Sequence, residues 1–110
     1  MENAMHRDLA AGRWAQMSLV EQLANIGSEV YRTSIALAAG KRERAEKAFE
    51  RALELMDLSI EAKPREAALE ELCRARELFC YCYENNSSED FDFLNKYYYQ
   101  FACAARRRMA

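Results

Sequence analysis

AEKAFERALELMDLSI, residues 45–60, shows a regular spacing of apolar residues that indicates the fold of this chain. Its apolar residues are Ala45, Ala48, Phe49, Ala52, Leu53, Met56 and Ile60. They recur at steps of three and four, which places them on one stripe of an α-helix. Charged residues fill most of the positions between them. The stretch therefore predicts an amphipathic helix that needs a partner surface.

The composition of the whole chain agrees with a helical protein. A chain of 110 residues with 51% hydrophobic residues is the size of one small domain with a real core. Three glycines, one proline and 31% charged residues favour long helices over a sheet with many tight turns. The formal net charge of −2 argues against a surface that binds polyanions everywhere, but it leaves a local basic patch open.

Start and stop signals divide the chain into four predicted helices. Ser18 and Glu21 have the spacing of a capping box, and Gly40 is placed to end the helix that follows. Pro64 separates the second helix from the third, and the polar residues 84–88 form the next loop. The predicted helices span residues 19–39, 41–62, 65–83 and 89–107.

Four helices with short links predict an all-α, up-down four-helix bundle as a single domain over residues 18–110. A short irregular and partly flexible N-terminal segment, residues 1–17, is expected to precede it. Ala45, Phe49 and Ala52 also resemble the second helix of a tetratricopeptide repeat, which is a minor alternative. Because no second copy follows at a fixed period, the bundle is preferred.

Gly27 stands in the middle of the first predicted helix, where glycine costs about 1 kcal/mol relative to alanine. Close packing of a neighbouring helix would offset this cost, as would a ligand that approaches the backbone. We favour close packing.

Chemistry-bearing motifs are scarce. The single histidine, His6, precedes the predicted helices, so no histidine pair or histidine-activated nucleophile can form on them. We predict no catalytic residues, no metal and no cofactor. The N-terminus lacks the apolar core of a signal peptide, and no apolar run is long enough for a membrane span. The four cysteines are therefore expected to be reduced thiols of a cytoplasmic protein; they are Cys73, Cys80, Cys82 and Cys103.

Charged residues on the apolar stripes are the best candidates for a binding site. Asp57 lies between Leu53 and Ile60, and Arg76 falls on the stripe of the third helix. Such charges either form ion pairs that fix the helix register, which we favour, or line a pocket in which Arg32 and Arg76 hold an anion. The candidate binding residues are Glu29, Arg32, Asp57, Arg74, Arg76, Tyr98 and Arg106.

Four sequence segments carry a resemblance to known proteins: WAQMSLVEQLANIGSEVYR at 14–32, AFERALELMDLSI at 48–60, the cluster at 74–77, and the Tyr-Tyr-x-x-Phe-Ala-x-Ala-Ala-Arg ending at 97–106. Together they resemble a family of short prokaryotic all-α proteins with no established activity, which implies a small intracellular protein. The helical character is also similar to that of nucleotide-binding bundles of the HEPN type. Their Arg-x4-6-His ribonuclease motif has no counterpart after Arg76, so this likeness implies binding without nuclease activity.

Two classes of function follow. The first is an interaction module that self-associates or docks onto a partner protein. Residues 97–99 are consecutive tyrosines, and a helix cannot turn all three toward one core. The predicted interface consists of Phe93, Tyr97, Tyr99 and Phe101. Because the first and last predicted helices carry more apolar surface than one neighbour can cover, we predict a two-fold homodimer built from them.

The second class is a nucleotide- or nucleic-acid-binding accessory subunit of a neighbouring enzyme. The arginines at 106–108 lie near the tyrosines, and single-strand binders combine basic and stacking groups. The alternative is a solvated helix end, where arginines complement the helix dipole. The negative net charge favours that alternative, and nucleic-acid binding is the less favoured of the two functions.

Overall fold

The computed structural model describes residues 12–62 and 64–109, and in this part of the chain it contains five helices and no strand. The helices are α1 at 12–16, α2 at Leu19–Ala38, α3 at Arg42–Glu61, α4 at Glu66–Asn85 and α5 at Ser88–Met109. The all-α prediction is confirmed. None of the helices within the described ranges combines the length and apolar character that a membrane span requires.

The helix count corrects the predicted four-helix bundle with an irregular N-terminal segment. Part of that segment, residues 12–16, is helical, and its Trp14 is only 7% exposed. The Trp14 indole N–H donates to the Ser59 hydroxyl at 2.9 Å, and Ser59 donates to the Gln22 side-chain oxygen at 2.8 Å. The Gln22 amide donates to the Trp14 carbonyl at 2.9 Å. This closed network ties α1 to α2 and α3. The flexibility expected for residues 1–11 concerns a stretch outside the described residues.

The ends of the helices follow the predicted signals with small shifts. The Ser18 hydroxyl accepts a hydrogen bond from the Glu21 backbone N–H, which confirms the start of α2. Gly40, with a φ of 71°, ends α2. The third long helix, α4, runs two residues beyond the predicted 83 because Asn86 adopts the left-handed conformation, with a φ of 46°, that closes it.

Helix α2 packs mainly against α3 and α5, and α4 completes the structure by contacting α3 and α5. The large side chains buried at their centre include Ile26, Val30, Met56, Phe79, Leu94 and Tyr98. Gly27 lies where α2 meets α5: a Cβ placed on it would be 2.7 Å from the Cβ of Tyr98. The close-packing interpretation of Gly27 is confirmed, since no larger residue fits there without a shift of α5.

Candidate functional site

A groove with a basic rim runs between α2 and α3, with a volume of about 450 Å³. Five basic side chains and one carboxylate line it: Arg32, Lys41, Arg44, Lys47, Arg51 and Glu29. Its apolar lining is formed by Ile35, Ala36, Ala39 and Ala48, and Tyr31 stands at its edge. We call this site the basic groove. Its charge is opposite in sign to that of the whole chain, so it is a local feature that the net charge conceals.

The periodicity of α3 explains why the basic side chains gather there. Lys41, Arg44, Lys47 and Arg51 are three or four residues apart, so they lie along one flank of the helix beside the buried Ala48. The glutamates between them occupy other angular positions and do not line the groove. Basic and acidic residues therefore alternate in the sequence of α3 but lie on two different flanks of the folded helix.

Glu29 forms the buried wall of the basic groove, with a side chain that is only 7% exposed. Its Oε1 accepts a hydrogen bond from Arg32, and its Oε2 lies 3.7 Å from Nη1 of Arg51. Within the described residues, Oε2 has no hydrogen-bond partner. The two arginines come from opposite helices and are 63% and 59% exposed. The carboxylate therefore holds the Arg32 guanidinium by a hydrogen bond and attracts that of Arg51 through charge alone, and most N–H donors of both arginines are free to bind an anion.

The other predicted charge pair forms a separate unit. Arg76 Nε donates to Asp57 at 2.9 Å, and its Nη2 reaches the second carboxylate oxygen at 3.5 Å. The pair joins α4 to α3 as the ion-pair interpretation expects, but it is partly exposed and not buried on the apolar stripes. Because Arg76 is paired with Asp57 while Arg32 is paired with Glu29, the structure does not bring Arg32 and Arg76 together around one anion.

A second depression lies between α2 and α5, and it meets the basic groove at Tyr31. Its volume is about 400 Å³. We call it the tyrosine hollow; it is lined by Ala24, Gly27, Ser28, Tyr31, Asn95, Tyr98, Tyr99 and Ala102. Tyr31 and Tyr99 are 56% and 61% exposed. The Asn95 side chain donates to Ser34, but its buried Oδ1 has no partner in the described part of the chain.

The remaining predicted binding residues lie in different places. Tyr98 belongs to the core, where burial raises the pKa of its hydroxyl, and its ring packs against Gly27 rather than presenting to solvent. Arg74 is exposed and lines a small depression between α4 and α5. Arg106 is exposed at the end of α5, with its guanidinium carbon 5.9 Å from the centre of the Tyr99 ring. Arg106 therefore adjoins the tyrosine hollow.

The predicted interface residues do not share one surface. Phe93 is 65% exposed but lies on the α4 side of α5, whereas Tyr99 lines the tyrosine hollow on the α2 side. Tyr97 and Phe101 pack edge to face with 5.3 Å between ring centres, and both are half-buried. The Tyr97 hydroxyl donates to Glu71. Burial raises the pKa of the Tyr97 hydroxyl, and the nearby Glu71 carboxylate raises it further. The exposed aromatic surface divides between two sides of the helix because residues 93 and 99 face different neighbours.

The thiols show no cluster. Cys73, Cys80, Cys82 and Cys103 are all unpaired, and burial raises the pKa of Cys82 to about 11. Among the residues that the structure describes, no three His, Cys, Asp or Glu side chains come together as a metal site.

Four residues of the basic groove were not among the binding residues predicted from the sequence: Lys41, Arg44, Lys47 and Arg51. Three glutamates lie between them along the chain, so the net charge of residues 41–51 is only +2 and does not stand out. A helical projection of 41–51 carries the missing signal, because it separates the basic flank from the acidic one.

No protein-family model matches the chain, and comparisons with curated proteins and with solved structures found no match either.

Proposed function

We propose that the chain is a small binding protein of the helical-bundle type, without catalysis of its own, and that its basic groove binds a phosphate-bearing ligand. The observation that carries the proposal is the arrangement of Arg32 and Arg51 on opposite helices around the buried Glu29. Guanidinium groups held in a fixed orientation suit phosphate oxygens, because two parallel N–H donors match two oxygens. The unpaired thiols are consistent with a cytoplasmic setting.

Three further cations extend the site along α3. Lys41, Arg44 and Lys47 make no ion pair with an acidic side chain in the described ranges, so their charge is available to a ligand. A groove with apolar walls also concentrates the field of these charges. This is the binding function predicted for an accessory subunit, but with a site on α2 and α3 in place of the basic end of α5.

Inorganic polyphosphate tests the proposal, because it offers only phosphate groups. We expect the double variant Arg44→Ala/Lys47→Ala to bind polyphosphate about 10-fold or more weakly than the unchanged protein at low salt, as measured by isothermal titration calorimetry. The double variant Arg107→Ala/Arg108→Ala removes the same number of charges at the exposed end of α5 and should change the affinity by less than about 2-fold. If the α5 variant loses as much affinity as the groove variant, the groove is not the site.

Self-association is a second candidate function, and three exposed side chains favour it. Tyr31, Ile35 and Tyr99 are each more than half exposed, on the side of the molecule where α2 meets the basic groove and the tyrosine hollow. Large apolar groups gathered on one side are typical of interfaces. This surface is formed by the two helices for which a two-fold homodimer is predicted.

Light scattering tests the homodimer. Tyr99→Glu should convert a dimer to a monomer, because a carboxylate placed in the contact must be desolvated. Phe93→Glu is the matched control: Phe93 is equally exposed but lies on the α4 side, so the dimer should persist. A wild-type protein that is already monomeric at micromolar concentration, or a dimer that resists Tyr99→Glu, rules out this interface.

A further inference from the structure

Two neighbouring depressions with different chemistry meet at one residue. Tyr31 lines both the basic groove and the tyrosine hollow. On one side of it lie the cations of α3, and on the other lies the exposed ring of Tyr99, with Arg106 beside it. A ligand that crosses Tyr31 therefore meets phosphate-binding groups first and aromatic faces next.

The cations of the basic groove form a row. From Lys41 to Arg51 the row extends about 15 Å along the helix axis, at 1.5 Å per residue. A single phosphate occupies one end of such a row, at the pair of arginines held by Glu29. The length of the row suits a ligand with several phosphates spread along a chain.

The tyrosine hollow suits flat, polar rings. Exposed tyrosine faces can stack on bases of any sequence, and a nearby arginine adds a cation–π contribution. The hollow is open to solvent at these two rings, since Tyr31 and Tyr99 are 56% and 61% exposed. Phosphates alone use none of these groups.

We propose that the ligand of the basic groove is a single-stranded nucleic acid, whose backbone lies along the cations of α3 and whose bases stack on Tyr31 and Tyr99. The proposal rests on the proposed anion-binding function and specifies its ligand. A single strand is required because bases paired in a duplex cannot turn out to meet the tyrosines. A mononucleotide fills one end of the row and leaves the remaining cations unused.

Fluorescence anisotropy tests this ligand with labelled eight-nucleotide strands of RNA and of DNA, and with a duplex of the same sequence. Tyr31→Ala should weaken binding of a single strand about 5- to 100-fold, the loss expected when one stacked base is released. Tyr31→Phe keeps the aromatic face and should stay within about 2-fold of wild type. Tyr81→Ala is the matched control, since Tyr81 is 53% exposed on α4 and lines neither depression.

Inorganic polyphosphate separates the two proposals in the same assay. Its binding should respond to Arg44→Ala/Lys47→Ala and be unchanged by Tyr31→Ala, because it has no bases. Tighter binding of either RNA or DNA single strands than of the duplex supports the inference, and comparison of the two strands shows which sugar is preferred.

Four results would overturn the inference. If polyphosphate binds but single strands do not, or if Tyr31→Ala and Tyr99→Ala leave strand binding unchanged, the groove binds phosphate but not stacked bases. If neither polyphosphate nor any strand binds, the anion-binding function itself is wrong. If the wild type is a dimer that Tyr31→Ala converts to a monomer without any strand binding, a second copy of the chain occupies this surface.

Discussion

Replacement of Trp14 by alanine is expected to lower the free energy of unfolding by about 3–5 kcal/mol, the range for truncating a large buried aromatic side chain. Trp14 is 7% exposed and belongs to the same buried cluster as Leu23, Ile26 and Met56. Its removal leaves a void and also removes the donor to Ser59. Urea unfolding followed by circular dichroism measures the change.

Two companion variants separate packing from hydrogen bonding. Trp14→Phe keeps much of the apolar volume but loses the indole N–H, so we expect a loss of about 1–2 kcal/mol. Ser59→Ala leaves both the Trp14 N–H and the Gln22 side-chain oxygen without their hydrogen-bond partner. We expect this variant to lower the free energy of unfolding by about 2–4 kcal/mol. If Trp14→Ala costs less than about 1 kcal/mol, α1 does not dock on α2 and α3 as described.

The difference between α1 and the other helices shows what a sequence pattern can predict here. The long helices α2 to α5 repeat their apolar spacing over several turns and carry caps such as Ser18 and Gly40, so periodicity identifies them. The short helix α1 has one large anchor, Trp14, and no repeat. Its structure depends on partners 8 and 45 residues away in the chain, which no local pattern reveals.

The candidate site was predictable only in part, for a related reason. Charges on an apolar stripe stand out in the sequence, and so Glu29, Arg32, Asp57 and Arg76 could be selected. Which charges meet is decided by how the helices pack. In the structure, Arg51 of α3 lies beside Glu29 of α2, and Asp57 forms an ion pair with Arg76. Gly27 indicated a close contact in the sequence, because a glycine within a helix lowers stability unless another group must approach the backbone there. In the structure that group is Tyr98.

Replacement of Glu29 by lysine is expected to lower the free energy of unfolding by about 3–5 kcal/mol, as for a buried charge left without its partner. Glu29 is 7% exposed and faces two arginines. A lysine there must stay charged beside Arg32 and Arg51 or release its proton to become neutral, and both choices cost free energy. Thermal and urea unfolding measure the loss.

Glu50→Lys provides the matched control, because it makes the same charge change at an exposed position in the middle of α3, outside the basic groove. It should alter stability by less than about 0.5 kcal/mol. Glu29→Gln keeps the shape and removes the charge, and we expect a loss of about 1.5–3 kcal/mol from the weakened bond to Arg32. Unchanged stability of Glu29→Lys would show that Glu29 is not buried between the arginines.

The same variants connect stability to binding. Glu29 reduces the positive charge of the basic groove while its hydrogen bond orients Arg32, so Glu29→Gln has two opposite effects on an anionic ligand. If orientation matters more than net charge, polyphosphate binds Glu29→Gln more weakly than wild type, although the groove has become more basic. If net charge matters more, the affinity rises and its salt dependence becomes steeper. The first result is the one expected for arginines held in place by a buried carboxylate, and the second would reduce Glu29 to a structural residue.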